Sequence, residues 1–103
     1  MTFDEFCEKA GKIFDSLPPE FSDNFSMNGE EEPTEAARIS MSEAGYNNLY
    51  GYWNKITPTN ITLCYWGFKA ANDFSDQRIS SVIKHEIEHA IMNPLGLKHS
   101  EHK

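Results

Sequence analysis

The sequence predicts a small α+β domain, and three observations predict it. Apolar residues recur at helical spacing near both ends of the chain. Between them lies an alternating run, Ile61-Thr62-Leu63-Cys64-Tyr65-Trp66, which reads as a strand. The chain has 103 residues, enough for one hydrophobic core and too few for a large catalytic barrel. Residues 1–103 are therefore read as a single domain.

Each element has its own signal. In residues 2–17, Phe3, Phe6, Cys7, Ala10, Ile13, Phe14 and Leu17 form one apolar helix face. Thr2 stands as N-cap before Asp4 and Glu5, and Pro18-Pro19 closes the helix. Residues 21–28 hold a short strand with Phe25 and Met27 on one side, and Asn28-Gly29 reads as a turn. Glu30, Glu31, Glu32 and Pro33 read as a solvated acidic loop. Residues 34–44 space Ala36, Ala37 and Met41 for a turn or two of helix, and the Tyr-, Asn- and Gly-rich residues 45–55 lead into a strand. Ile61, Leu63 and Tyr65 take one face of the clearest strand and Thr62, Cys64 and Trp66 the other, with Pro58 and Gly67 as brackets. Residues 70–76 read as a polar linker. Residues 78–92 form the last helix, with Ile79, Val82, Ile83, Ile87 and Ala90 on its apolar face, Ser75 or Asp76 as cap, and Asn93-Pro94 as its end.

Composition narrows the function. A net charge of −7 repels phosphate backbones, and the 9 Lys and Arg residues are scattered, so no nucleic-acid partner is expected. No stretch is long and apolar enough to predict a membrane span. Met1-Thr2-Phe3-Asp4-Glu5-Phe6 lacks the basic and apolar regions of a signal peptide, which gives a cytoplasmic expectation. Cys7 and Cys64 are too few for a disulfide scaffold and are expected as reduced thiols.

The chemistry lies in the last helix. His85-Glu86-Ile87-Glu88-His89 is H-E-x-x-H. On a helix the two histidines project the same way one turn apart, where both can reach one zinc at about 2.0–2.1 Å. Glu86 is turned about 100° from His85 towards the apolar arc, between Val82 and Ile83. A carboxylate there costs several kcal/mol unless it is paired or works at a site. Its expected work is to take the proton of a water activated by the metal. Glu88 faces solvent. A catalytic zinc needs a third protein ligand, and His99, Glu101 and His102 are the candidates. His99 is preferred, because Gly96 lets the chain turn out of the helix three residues before it. Arg78, Tyr65 and His102 are candidates for oxyanion partner. Two rivals stand beside the catalytic reading: a closed structural zinc site using His85, His89, His99 and His102 or Glu101, and an acidic interaction module without metal that uses exposed aromatics among residues 46–53.

From this point the chain resembles the small zincin-like metallopeptidases called minigluzincins. The likeness covers nearly the whole chain. It runs from the helix-ending phrase Leu17-Pro18-Pro19-Glu20-Phe21, through Leu49-Tyr50-Gly51-Tyr52 and Ile61-Thr62-Leu63-Cys64-Tyr65, to Val82-Ile83-Lys84-His85-Glu86-Ile87-Glu88-His89. Only the last piece is strongly specific. In that family a Gly follows the second His by three residues, and the third ligand comes three later. Here Met92 stands at the first of these places, and Gly96-Leu97-Lys98-His99 is displaced by four residues, about one helical turn. The resemblance implies a minimal zincin-like fold, with a small mixed sheet packed on the N-terminal helix and the C-terminal active-site helix, a Zn2+ site at His85, His89 and His99, Glu86 as general base, and a peptide or protein substrate. It also implies an edge strand beside the cleft, expected at residues 61–66, that takes the substrate by β-addition. Tyr65 or Trp66 could line the substrate side, but packing is the expected role of either.

Overall fold

The computed structural model describes residues 1–53 and 56–92. Eight elements follow in order: α1 (Phe3–Asp15), α2 (Pro19–Ser22), β1 (Ser26–Glu30), α3 (Glu35–Ala44), β2 (Gly51–Trp53), β3 (Asn60–Cys64), α4 (Tyr65–Ala71) and α5 (Asp76–Met92). The α+β class is as expected, with α1 and α5 packed on one face of a mixed sheet.

Helix α1 starts at a capping box. The Thr2 hydroxyl accepts from Glu5 N–H at 3.2 Å, and the Glu5 carboxylate accepts from Thr2 N–H at 2.8 Å. The helix ends at Asp15, and Pro19 opens the short α2. Helix α3 is longer than the turn or two expected. Thr34 caps it and Gly45, in the left-handed conformation, closes it.

The sheet order is β1-β3-β2, with β1 parallel and β2 antiparallel to β3. The central strand is thus β3, which corrects its expected place at the edge. It also ends two residues early: Tyr65 and Trp66 begin α4, whose C-terminus turns at Asn72 in the left-handed region. Tyr65 and Phe68 join an aromatic cluster with Phe6 and Phe74, and this packing outweighs the strand pattern of the local sequence.

Asn28-Gly29 lies within β1 and is not a turn. Gly29 serves close packing: a Cβ there would stand 3.0 Å from Cys7 Sγ and 3.2 Å from Phe3 of α1. Gly51 does the same for α5, where a Cβ would stand 2.9 Å from the Thr62 carbonyl oxygen and 3.2 Å from Val82. Gly67 lets α4 touch the chain entering β2; a Cβ would fall 1.7 Å from the Leu49 carbonyl oxygen.

Registry puts Met27, Gly29, Ile61, Leu63, Gly51 and Trp53 on the face covered by helices, and the core sits there with Phe6, Phe14, Ile79, Ile83 and Ile87. The opposite face is polar and bonded within itself. Asn28 Oδ1 accepts from Thr62 Oγ1 at 3.1 Å and from Asn60 Nδ2 at 2.8 Å. Glu30 accepts from the Tyr52 hydroxyl and from Trp66 Nε1. Glu30 is therefore a strand residue with two partners and not part of a solvated loop, as its neighbours Glu31 and Glu32 are. Cys7 and Cys64 are both free thiols. Among the described residues, no helix is long and apolar enough to cross a membrane.

Candidate metal centre

Helix α5 presents the site, and its start is fixed from three sides. Ser75 Oγ accepts from Arg78 N–H at 3.2 Å as N-cap. Asp73 Oδ1 accepts from the Ser75 hydroxyl at 2.8 Å, and Asp73 Oδ2 from Arg78 Nε at 3.1 Å. Hydrogen bonds from Ser75, then from Arg78, hold the Asp73 carboxyl below its ordinary range. Lys9 of α1 pairs with Asp76 at 2.9 Å and donates to the Phe74 carbonyl at 2.6 Å. Ile79, Val82, Ile83, Ile87 and Ala90 then bury the apolar stripe. The orientation of the whole helix follows, and with it the direction of each polar side chain.

His85 and His89 emerge half-buried one turn apart, with ring planes at 82°. Their Nε2 atoms lie 3.2 Å apart. Neutral imidazoles can share an N–H···N bond at that distance. It is also close to the edge of a tetrahedron around zinc, about 3.3 Å for ligand bonds of about 2.0–2.1 Å. The spacing of the pair is thus that of two ligands on one zinc ion. Glu86 is 1% exposed, on the inner side of the helix, and its Cγ would lie 3.4 Å from a Cβ at Gly51. Glu88 is exposed, as the helical count requires.

Strand β2 forms the wall beside this helix. Tyr50, just before it, lies under Arg78, with the guanidinium carbon 5.1 Å from the ring centroid. Gly51 then meets Val82 and Glu86, one and two turns further along α5. Strand and helix thus run in the same sense. The outer edge of β2 pairs with no strand among the described residues, so β2 takes the edge role expected of residues 61–66.

The structure places His85 and His89 side by side and buries Glu86 on the inner side of the same turn. His99, Glu101 and His102 lie outside the described residues. Among the described residues no group of three His, Cys, Asp or Glu side chains is placed to hold a metal. Tyr65 is removed as an oxyanion candidate: it is 7% exposed, packs on Phe3 and Phe6, and donates its hydroxyl to the Met1 carbonyl. Gly51 is the site residue that sequence reasoning passed over. Its signal was a glycine inside an aromatic strand pattern, which marks a close approach of another element.

No family model matches the chain, and no curated protein or solved structure matches it.

Proposed function

We propose that the protein is a zinc-dependent metallopeptidase acting on peptides. One observation carries the reading: two imidazole nitrogens 3.2 Å apart, at tetrahedral-edge spacing, with a buried carboxylate on the intervening helical position. His85 and His89 would hold the metal, and His99 is the proposed third ligand. Zinc, when bound, polarises the scissile carbonyl and acidifies a water. Glu86 takes the proton of the attacking water and returns it to the leaving amine. Burial beside Gly51 shields that carboxylate from bulk water. The paired edge of β2 leaves its outer backbone groups to receive an extended peptide.

Elemental analysis and a peptide-mixture digest read by mass spectrometry test this. About one zinc per chain is expected in the wild type, with loss in His85→Ala and weakening in His99→Ala. Glu86→Gln should keep the metal and lose at least 100-fold in cleavage, the lower range for removal of a general base. No zinc after supplementation would overturn the reading. Zinc without cleavage would replace it with a zinc-stabilised binding protein.

A further inference from the structure

The stripe of α5 that carries the histidines continues towards the helix start. Arg78 stands seven residues before His85, displaced by only about 20° around the helix and about 10 Å along it. Ser81, four residues before His85, lies between them on the same stripe. A polar cavity of about 320 Å³ opens here, lined by Asp73, Ser75, Gln77, Arg78 and Ser81. The Arg78 guanidinium is held on two sides. Asp73 takes its Nε edge at 3.1 Å and Tyr50 its face, while its side chain is 45% exposed. Those contacts use Nε and the π-face and do not engage the forked terminal nitrogens, which are donors. A fork fixed in this way suits a carboxylate, which it can bind through two parallel hydrogen bonds.

Direction decides which part of a peptide arrives there. β2 and α5 run in the same sense. A peptide adding antiparallel to the outer edge of β2 therefore runs against α5, with its C-terminal side towards Tyr50 and Arg78. An extended chain covers about 3.3 Å per residue, so 10 Å is about three residues. We propose that Arg78 is a specificity residue that binds a substrate carboxylate about three residues beyond the scissile bond. The inference rests on the peptidase reading and adds to it a substrate class: peptides with a carboxylate on the leaving side. That carboxylate comes either from the peptide's own C-terminus or from an Asp or Glu side chain.

Synthetic peptides separate the two sources and test the residue. Four versions of one cleaved sequence are compared on the zinc-loaded full chain: with or without Glu at the third position after the cut, each ending there or extended by three alanines with an amidated end. The wild type should favour a carboxylate from either source by about tenfold in KM, with kcat nearly constant. A preference confined to the shortened acids assigns the chain terminus, and one confined to Glu assigns the side chain. Arg78→Gln should erase the preference, bringing the four peptides to one KM, and Arg78→Lys should restore part of it. A merely structural role for Arg78 would slow all four peptides alike. Binding of the same four peptides to zinc-loaded Glu86→Gln, followed by Trp fluorescence, gives the preference without turnover. Equal KM and equal binding for all four would overturn the inference and leave the peptidase reading intact. Absence of cleavage together with absence of binding would overturn both.

Discussion

At the scale of single residues, burial sets the chemistry of the two thiols and of one phenol. Removal from water, then the nearby carboxylates of Glu30 and Glu86, pushes the Cys64 thiol well above its ordinary value of about 9. Removal from water and the hydrogen bond to Glu30 push the Tyr52 phenol up in the same way. In both cases the unfolded chain gives up its proton first as pH rises. Folding stability is therefore fully present below pH 9 and declines as pH climbs above it. Urea midpoints should hold level from pH 7 to about 8.5 and fall between about pH 9 and 11. Cys64→Ala should flatten the first part of that fall; an unchanged slope would show that the thiol is not its cause. The half-buried Cys7 should react with iodoacetamide at neutral pH before the buried Cys64 does, as intact mass would report.

At the scale of elements, α1 carries a glycine that its packing does not require. A Cβ at Gly11 would meet nothing within 4 Å, and Gly11 borders a cavity of about 120 Å³ together with Phe6, Cys7, Met27 and Leu63. Gly11→Ala should stabilise the fold by about 0.5–1 kcal/mol through helix propensity, read as a higher urea midpoint at constant slope. A loss of stability would mean that the glycine conformation matters. The two long helices were legible in the sequence because their caps and apolar stripes agree: Thr2 with Glu5, and Ser75 ahead of Ile79, Val82 and Ile83. Helix α4 was not legible. Cys64 gives it no side-chain cap, and Tyr65-Trp66 extends the alternation of β3, so only the long-range aromatic cluster reveals the change of element. Gly29 misled for a related reason. A glycine that admits a neighbouring helix looks, in one dimension, the same as one that makes a turn. The helical placement of His85, Glu86 and His89 was legible, since their relation is local to one helix. Its wall was not, because pairing of β2 with β3 depends on the whole sheet.

At the scale of the whole molecule, 103 residues with a radius of gyration of 13.1 Å leave a small core, and a bound ion would weigh heavily in its stability. Zinc at 100 times its Kd should contribute about 2.7 kcal/mol. For a domain of this size that raises Tm by roughly 10–20 °C. Calorimetry with and without zinc checks it: His85→Ala should remove the shift, and a wild type indifferent to zinc would contradict a site formed in the folded chain. The wall of the cleft is fixed by two close approaches at glycine. Gly67 seats α4 on the Leu49 main chain, and Gly51, two residues after Leu49, admits the Val82 and Glu86 side chains of α5. This has a practical meaning for transplantation. A designer who copies His85, Glu86, His89 and Arg78 onto another helix would move the proposed site residues and leave their enclosure behind. The portable unit is the helix together with a strand and a second helix, and its least replaceable letters are two glycines without a functional group.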